Sequence, residues 1–221
     1  MDHSCHGTLN SRCAPRHGIG FTRRTLASSQ HHGYGENLLL RLPAVGDNAA
    51  MQTEPPEAEP PIALRPIGFV HSPRCEVSDD FWGDVIAVVE LADDLPPDSL
   101  DGLEEFSHSE IIYLFDRVAP DDVVSGVRHP RNNPGWPLVG IFAQRAKGRP
   151  NRLGSTIVRI VGRDCRQLQV LGLDAVDGTP VLDIKPVMAE FLPREPIHQP
   201  EWSRELMQDY WRSASERPRP S

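Results

Sequence analysis

The stretch 156–185 reads TIVRIVGRDCRQLQVLGLDAVDGTPVLDIK. Its apolar and β-branched residues gather into three short runs, Thr156–Val161, Gln167–Leu173 and Pro180–Lys185. Turn formers separate them, and Asp177-Gly178 is a hairpin signal between two such runs. Four more runs lie upstream: Pro66–Val70, Asp84–Leu91, Glu110–Arg117 and Leu138–Gln144, with Asn133-Pro134-Gly135 among the breaks. Seven short strands at this spacing predict a sandwich or a barrel. Only Glu201–Trp211 reads as helix. Pro200 precedes it, and Trp202, Leu206 and Tyr210 recur on one face. That stripe reads as core packing, with a subunit interface as the other use. No G-x-G-x-x-G follows a strand, so a dinucleotide-binding sheet is not supported.

The 221 residues divide into a central domain and two tails. Residues 1–61 are expected to be a disordered tail and linker. The first fifty lack periodicity, and QTEPPEAEPP at 52–61 cannot bury apolar surface. Met51, directly before the linker, is a candidate translation start. His3, Cys5, His6, Cys13 and His17 match no zinc spacing, so no metal is expected there. Residues 62–212 form the domain, and 213–221 (SASERPRPS) read as a frayed end. No apolar run of about 18 residues exists to span a membrane. Four cysteines, two of them in the tail, are not a disulfide framework and suit a reducing cytoplasm.

Charge is segregated along the chain. Between Glu76 and Asp122 stand fifteen acidic residues against Arg117 alone, and between Arg128 and Arg166 nine Lys/Arg against Asp164 alone. Such blocks can make a cationic face for an anionic partner, or they can neutralise each other as surface ion pairs. The net charge of −8 argues against a protein that coats nucleic acid indiscriminately.

Three segments carry candidate chemistry. From Val139 to Ser155 a strand runs into a loop with Arg145, Lys147, Arg149, Asn151 and Arg152 around Gly148, Pro150 and Gly154. Guanidinium and backbone N–H groups converging on one loop make an anion receptor, the plainer reading being a solvated basic loop. From Leu171 to Pro186, Asp174, Asp177 and Asp183 fall at strand ends and turns. Carboxylates there can accept from a ribose diol or an amino group, or act as a base. Turn chemistry favours a structural Asp177. Asp174 favours the site, and Asp183 can pair with Lys185. From Gly102 to His108, GLEEFSH leads into a strand, and His108 is either a proton carrier or a structural hydrogen-bonder.

These motifs, in this order, resemble the TrmO (TsaA-like) family of S-adenosylmethionine-dependent tRNA adenine-N6 methyltransferases. The family's I-G-x-x-x-S-P opening is matched by Ile67–Pro73, and its G-L-E-x-F-S-H by Gly102–His108. Its G-V-F-A-x-R-S-x-x-R-P-N-P-I-G is matched with departures by Gly140–Gly154. Its L-D-x-x-D-G-T-P-V-x-D-I-K-P-Y is matched by Leu173–Pro186, with Val187 in place of the final Tyr.

The resemblance implies a mainly β fold, a single-sheet antiparallel β-barrel with a few short helices and a C-terminal helix. It also implies an S-adenosylmethionine-dependent methyltransferase acting on tRNA, commonly at a threonylcarbamoyl-bearing adenosine beside the anticodon. It further implies a homodimer with the cofactor near the subunit interface, working in the cytoplasm without metal. Family cofactor contacts fall on Asp116, Arg117, Arg145, Ser155 and the run Leu171, Gly172, Leu173 and Asp174. The loop residues Lys147, Arg149, Asn151 and Arg152 are then expected to meet tRNA. Candidate bases are Asp174, Asp177 and His108. Asp79-Asp80-Phe81-Trp82-Gly83 stands where many members carry P-R-Q, and Asp116-Arg117 where they carry His-Gln. Those departures leave open a small-molecule or other RNA acceptor, or a barrel that binds cofactor or RNA without turnover.

Overall fold

A computed structural model describes residues 62–216. The 1–61 tail and linker, with Met51 and the His/Cys group, and residues 217–221 lie outside the described residues. In chain order the strands are β1 (Gly68–His71), β2 (Ile86–Leu91), β3 (His108–Leu114), β4 (Val127–Arg128), β5 (Val139–Gly140), β6 (Leu153–Asp164), β7 (Gln167–Leu171) and β8 (Pro180–Pro186). Six of them close antiparallel in the order β1-β2-β7-β6-β3-β8, while β4 and β5 pair apart. The expected barrel forms.

Side-chain alternation drives the closure. In β3 every second residue, Ser109, Ile111 and Tyr113, is buried, and β2 alternates likewise. The inward set includes Val70, Val89, Ile111, Leu168, Val170 and Val181, all without accessible surface. Six strands enclose a space that side chains fill, so the interior is a core and not a channel. Each such residue contributes about 1.5 to 3 kcal/mol by burial. The register shifts between Ile112 and Tyr113 in β3 and between Ile160 and Gly162 in β6. Such irregularities sharpen strand bending and help a short sheet close.

Two elements differ from the sequence reading. Of the expected 138–144 strand only Val139–Gly140 pairs, and Ile141–Ala143 turns into a 3-10 helix. Every barrel strand already has two neighbours, so the run finds no edge. Ile141 N–H instead donates to the Gly126 carbonyl at 2.9 Å. The buried Gln144 amide then donates to the carbonyls of Arg128 and Val139 at 3.1 and 3.2 Å.

The C-terminal helix α1 (Glu201–Leu206) stops well short of Trp211. Phe81 and Trp82 N–H claim the carbonyls of Asp209 and Tyr210, at 3.0 and 2.8 Å. Ser213 Oγ and Ala214 N–H, expected in a frayed end, bond the Asp84 carboxylate at 2.6 and 3.1 Å.

The two charge blocks meet one another. Arg131 bonds Asp80 at 2.6 Å, Lys147 lies 3.7 Å from Asp79, and Arg163 pairs with Asp101 at 2.8 Å. Asp183 and Lys185 pair at 2.5 Å on alternate positions of β8. No described helix is long and apolar enough to cross a membrane.

Gly154 in β6 sits opposite Tyr113 of β3, and a Cβ there would enter the Tyr113 ring. The ring is 1% exposed and has nowhere to move. Gly154→Ala is therefore expected to lower stability by about 1 to 3 kcal/mol. Urea unfolding monitored by tryptophan fluorescence checks it.

Candidate active site

Asp174 lies in the loop 172–179, which crosses one mouth of the barrel between β7 and β8. The neighbouring Leu173 and Ala175 belong to the interior core and fix the loop. Gly172 enters it with φ of 85°, a conformation that favours glycine, and donates to the Val85 carbonyl at 2.9 Å. Three hydroxyls converge on the Asp174 carboxylate. Tyr113 Oη donates to Oδ1 at 2.7 Å, Thr156 Oγ1 also donates to Oδ1, and Tyr210 Oη donates to Oδ2. Register explains the first two: Thr156 pairs with Ile111 and Gly154 with Tyr113, so β3 and β6 present both hydroxyls inward as diagonal neighbours. Burial raises both tyrosine hydroxyls far above their ordinary value, and the Asp174 charge adds to the effect. Both remain donors at any physiological pH.

Arg145 joins this cluster to the outer wall. Its guanidinium donates to the Ser155 carbonyl, and its charge acts on the Tyr210 hydroxyl, as does that of Arg131. Ser155 Oγ, facing outward from β6, donates to Glu110 of β3. Beside it lies a cavity of about 380 Å³ lined by Ile112, Phe142, Arg149, Asn151, Leu153 and Ser155. Its wall includes a largely exposed aromatic ring, since Phe142 is 75% accessible.

The remaining expected residues distribute as follows. Leu171 is in β7, and Leu173 is wholly buried, so it offers a ligand only its backbone. Asp116 is exposed just past β3. Arg117 donates to the carbonyls of Cys75 and Asp177, the latter at 2.5 Å, and so ties two loops together at the same mouth. Arg149 reaches the Gln144 carbonyl at 3.5 Å, and Asn151 is exposed. Arg152, expected against tRNA phosphate, donates through Nη1 to the Val118 carbonyl at 2.9 Å.

Two of the three candidate bases are engaged or placed elsewhere. Asp177 Oδ1 accepts the Ser72 N–H at 3.1 Å, the turn role its sequence favoured. His108 faces outward, roughly 16 Å along β3 from Tyr113, with Nδ1 2.8 Å from Ser107 Oγ. The structure does not bring it to Asp174. Among the described residues no group of His, Cys, Asp and Glu could hold a metal. Tyr113, Thr156 and Tyr210 escaped the sequence reading. Two polar side chains on the inward register of β3 and β6 are the signal that was present.

The model of the tRNA-methyltransferase O N-terminal domain matches residues 78–191, more than half of the chain. The chain belongs to the TrmO family. A Pyrococcus abyssi protein named "Probable S-adenosyl-L-methionine-binding protein" is 37% identical over 142 residues, covering 62% of this chain and 73% of that one. A Pseudomonas aeruginosa protein named "Putative S-adenosylmethionine-dependent methyltransferase RcsF" is 44% identical over 96 residues, 42% of this chain and 41% of that one. The mouse tRNA (adenine(37)-N6)-methyltransferase is 38% identical over 96 residues, 43% of this chain and 22% of the enzyme. The chain thus spans less than half the length of the last two. The crystal structure of TrmO from P. aeruginosa superposes with a TM-score of 0.53 at 26% identity, covering 66% of this chain and 63% of that one.

In this TrmO-family barrel, Asp177→Ala strands the N–H of Ser72, which is 9% exposed. The expected loss is about 1 to 2 kcal/mol. Asp177→Asn keeps an acceptor oxygen and is expected to stay near the parent. Urea midpoints of the two variants, compared with the parent, decide between the turn role and any other.

Proposed function

We propose that the chain is an S-adenosylmethionine-dependent methyltransferase whose acceptor is adenosine N6 in tRNA, beside the anticodon, commonly on a threonylcarbamoylated base. The observation that carries this reading is the Asp174 carboxylate, held by three hydroxyls, one of which feels the Arg145 charge. The names of the archaeal and mouse relatives agree with it.

The residues fit such a cofactor in three ways. Arg145 suits a carboxylate, Phe142 and Ile112 offer apolar faces for a base, and Asp174 has acceptor capacity for a hydroxyl or an ammonium. When bound, the cofactor supplies a methyl group activated on sulfonium sulfur. Asp174 and Arg145 orient the donor end, and the barrel mouth holds the acceptor nitrogen in line with it. That nitrogen loses one proton as its bond to the methyl carbon forms and the carbon–sulfur bond breaks. That proton passes to solvent water, because Asp177 is engaged in the Ser72 turn, His108 lies elsewhere and the remaining acceptor position of Asp174 faces the cofactor.

The exposed Val127, Leu138, Phe142 and Ile157, between 49% and 75% accessible, support a homodimer across this face. We place the protein in the cytoplasm, with its tRNA. Ion pairing of Arg131 and Lys147 with Asp80 and Asp79, and the inward turn of Arg152, leave fewer cations for phosphate. This feature favours, as second reading, a small-molecule acceptor or another RNA.

Purified chain with S-adenosylmethionine and threonylcarbamoylated tRNA is expected to yield N6-methylated nucleoside by mass spectrometry. Binding of that tRNA is expected to weaken steeply with salt. Retained cofactor binding without methylation of that tRNA would move the acceptor to the second reading. Absence of cofactor binding by folded protein would remove the methyltransferase reading altogether.

A further inference from the structure

The contact between Asp174 and the C-terminal segment is unusual in its origin. The family model ends at residue 191, yet Tyr210 places its hydroxyl on Asp174 Oδ2. A carboxylate offers about four acceptor positions. Tyr113 and Thr156 occupy Oδ1, and Tyr210 occupies one position of Oδ2. A single position on Oδ2 is left for a ligand, and its direction depends on where Tyr210 stands.

Tyr210 is held by more than its own bond. The segment runs beside residues 81–83 through Phe81 N–H to Asp209, Trp82 N–H to Tyr210 and Gly83 N–H to Arg212, at 3.0, 2.8 and 3.4 Å. A Cβ on Gly83 would collide with the Trp211 carbonyl, so only glycine permits this approach. Trp82, Val85 and Val176 pack together with the Tyr210 ring, and Trp211 meets that ring edge-on at 4.9 Å. Beyond it, Ser213 and Ala214 bond Asp84 at 2.6 and 3.1 Å. A hydroxyl delivered by a segment fixed at both sides is pre-organised, and its ordering is complete before a ligand arrives.

We propose that Tyr210 is a positioning residue of the S-adenosylmethionine site, acting through Asp174 by fixing the rotation of its carboxylate so that the last Oδ2 acceptor faces the cofactor. The proposal rests on the cofactor reading of the preceding subsection. It makes the segment after α1 a working part of the site and the 81–84 strip its anchor. The tyrosine never accepts the substrate's proton; it only donates.

Tyr210→Phe keeps the ring and removes the donor. Calorimetric titration with S-adenosylhomocysteine is expected to show about tenfold weaker binding. KM for S-adenosylmethionine should rise in parallel, with kcat within about twofold of the parent and a smaller fall in melting temperature than Trp211→Ala shows. Trp211→Ala loosens the same segment but leaves the Tyr210 hydroxyl. It should lower the melting temperature and shift binding far less. Tyr210→Phe binding like the parent would overturn the proposal, and so would Trp211→Ala weakening binding as much as Tyr210→Phe. Parent protein that is folded but binds no S-adenosylhomocysteine would overturn the cofactor reading and this proposal together. Parent binding with unaltered Tyr210→Phe binding would overturn the proposal alone.

Discussion

A carboxylate brought to the end of a side-chain-filled barrel loses much of its water, and hydrogen-bond donors must replace it. At Asp174 the replacement is three hydroxyls from three parts of the chain: Tyr113 of β3, Thr156 of β6 and Tyr210 beyond α1. Much of the local architecture serves that meeting. The β3–β6 register makes Tyr113 and Thr156 diagonal neighbours on the inward face, and Gly154 leaves room for the Tyr113 ring. Gly172 turns the loop at the barrel mouth, and Leu173 anchors it in the core. The two tyrosine hydroxyls are held as donors by burial.

Electrostatics around that point are local. The acidic block before Asp122 and the basic block after Arg128 fold against each other, most tightly at Arg131 and Asp80. Exposed pairs of this kind add little stability. Their consequence here is to consume cations that a linear reading assigned to a partner. Arg145 and Arg131 both act on Tyr210, but Arg131 is paired with Asp80 while Arg145 bonds a backbone carbonyl in the site, so Arg145 remains the cation best placed for a ligand.

The stretch Asp79–Gly83, where many family members carry P-R-Q, has two structural tasks in this chain. Its carboxylates meet Arg131 and Lys147, and its backbone receives the segment after α1. Arg74 lies over the Trp82 ring at 4.0 Å, adding a cation–π contact to the same edge.

Strand alternation and the Asp177-Gly178 turn narrowed the fold to a sandwich or a barrel, because period-two burial and turn conformation are local properties, and the ordered motifs from Ile67 to Pro186 carried the resemblance that implied the barrel. The sequence also singled out Asp174 and Arg145 from their types and their loops. Tertiary structure alone decided the rest. The 138–144 run became a turn because the closed sheet offers no free edge, and Arg152 turned inward because a carbonyl of a distant loop was within reach. Tyr210, read as one member of an apolar helical stripe, left the helix because residues 81 and 82 claim the carbonyls around it. It then reached a carboxylate 36 positions earlier in the chain. Side chains that meet across such separations are chosen by packing and register, which no local pattern of residues encodes.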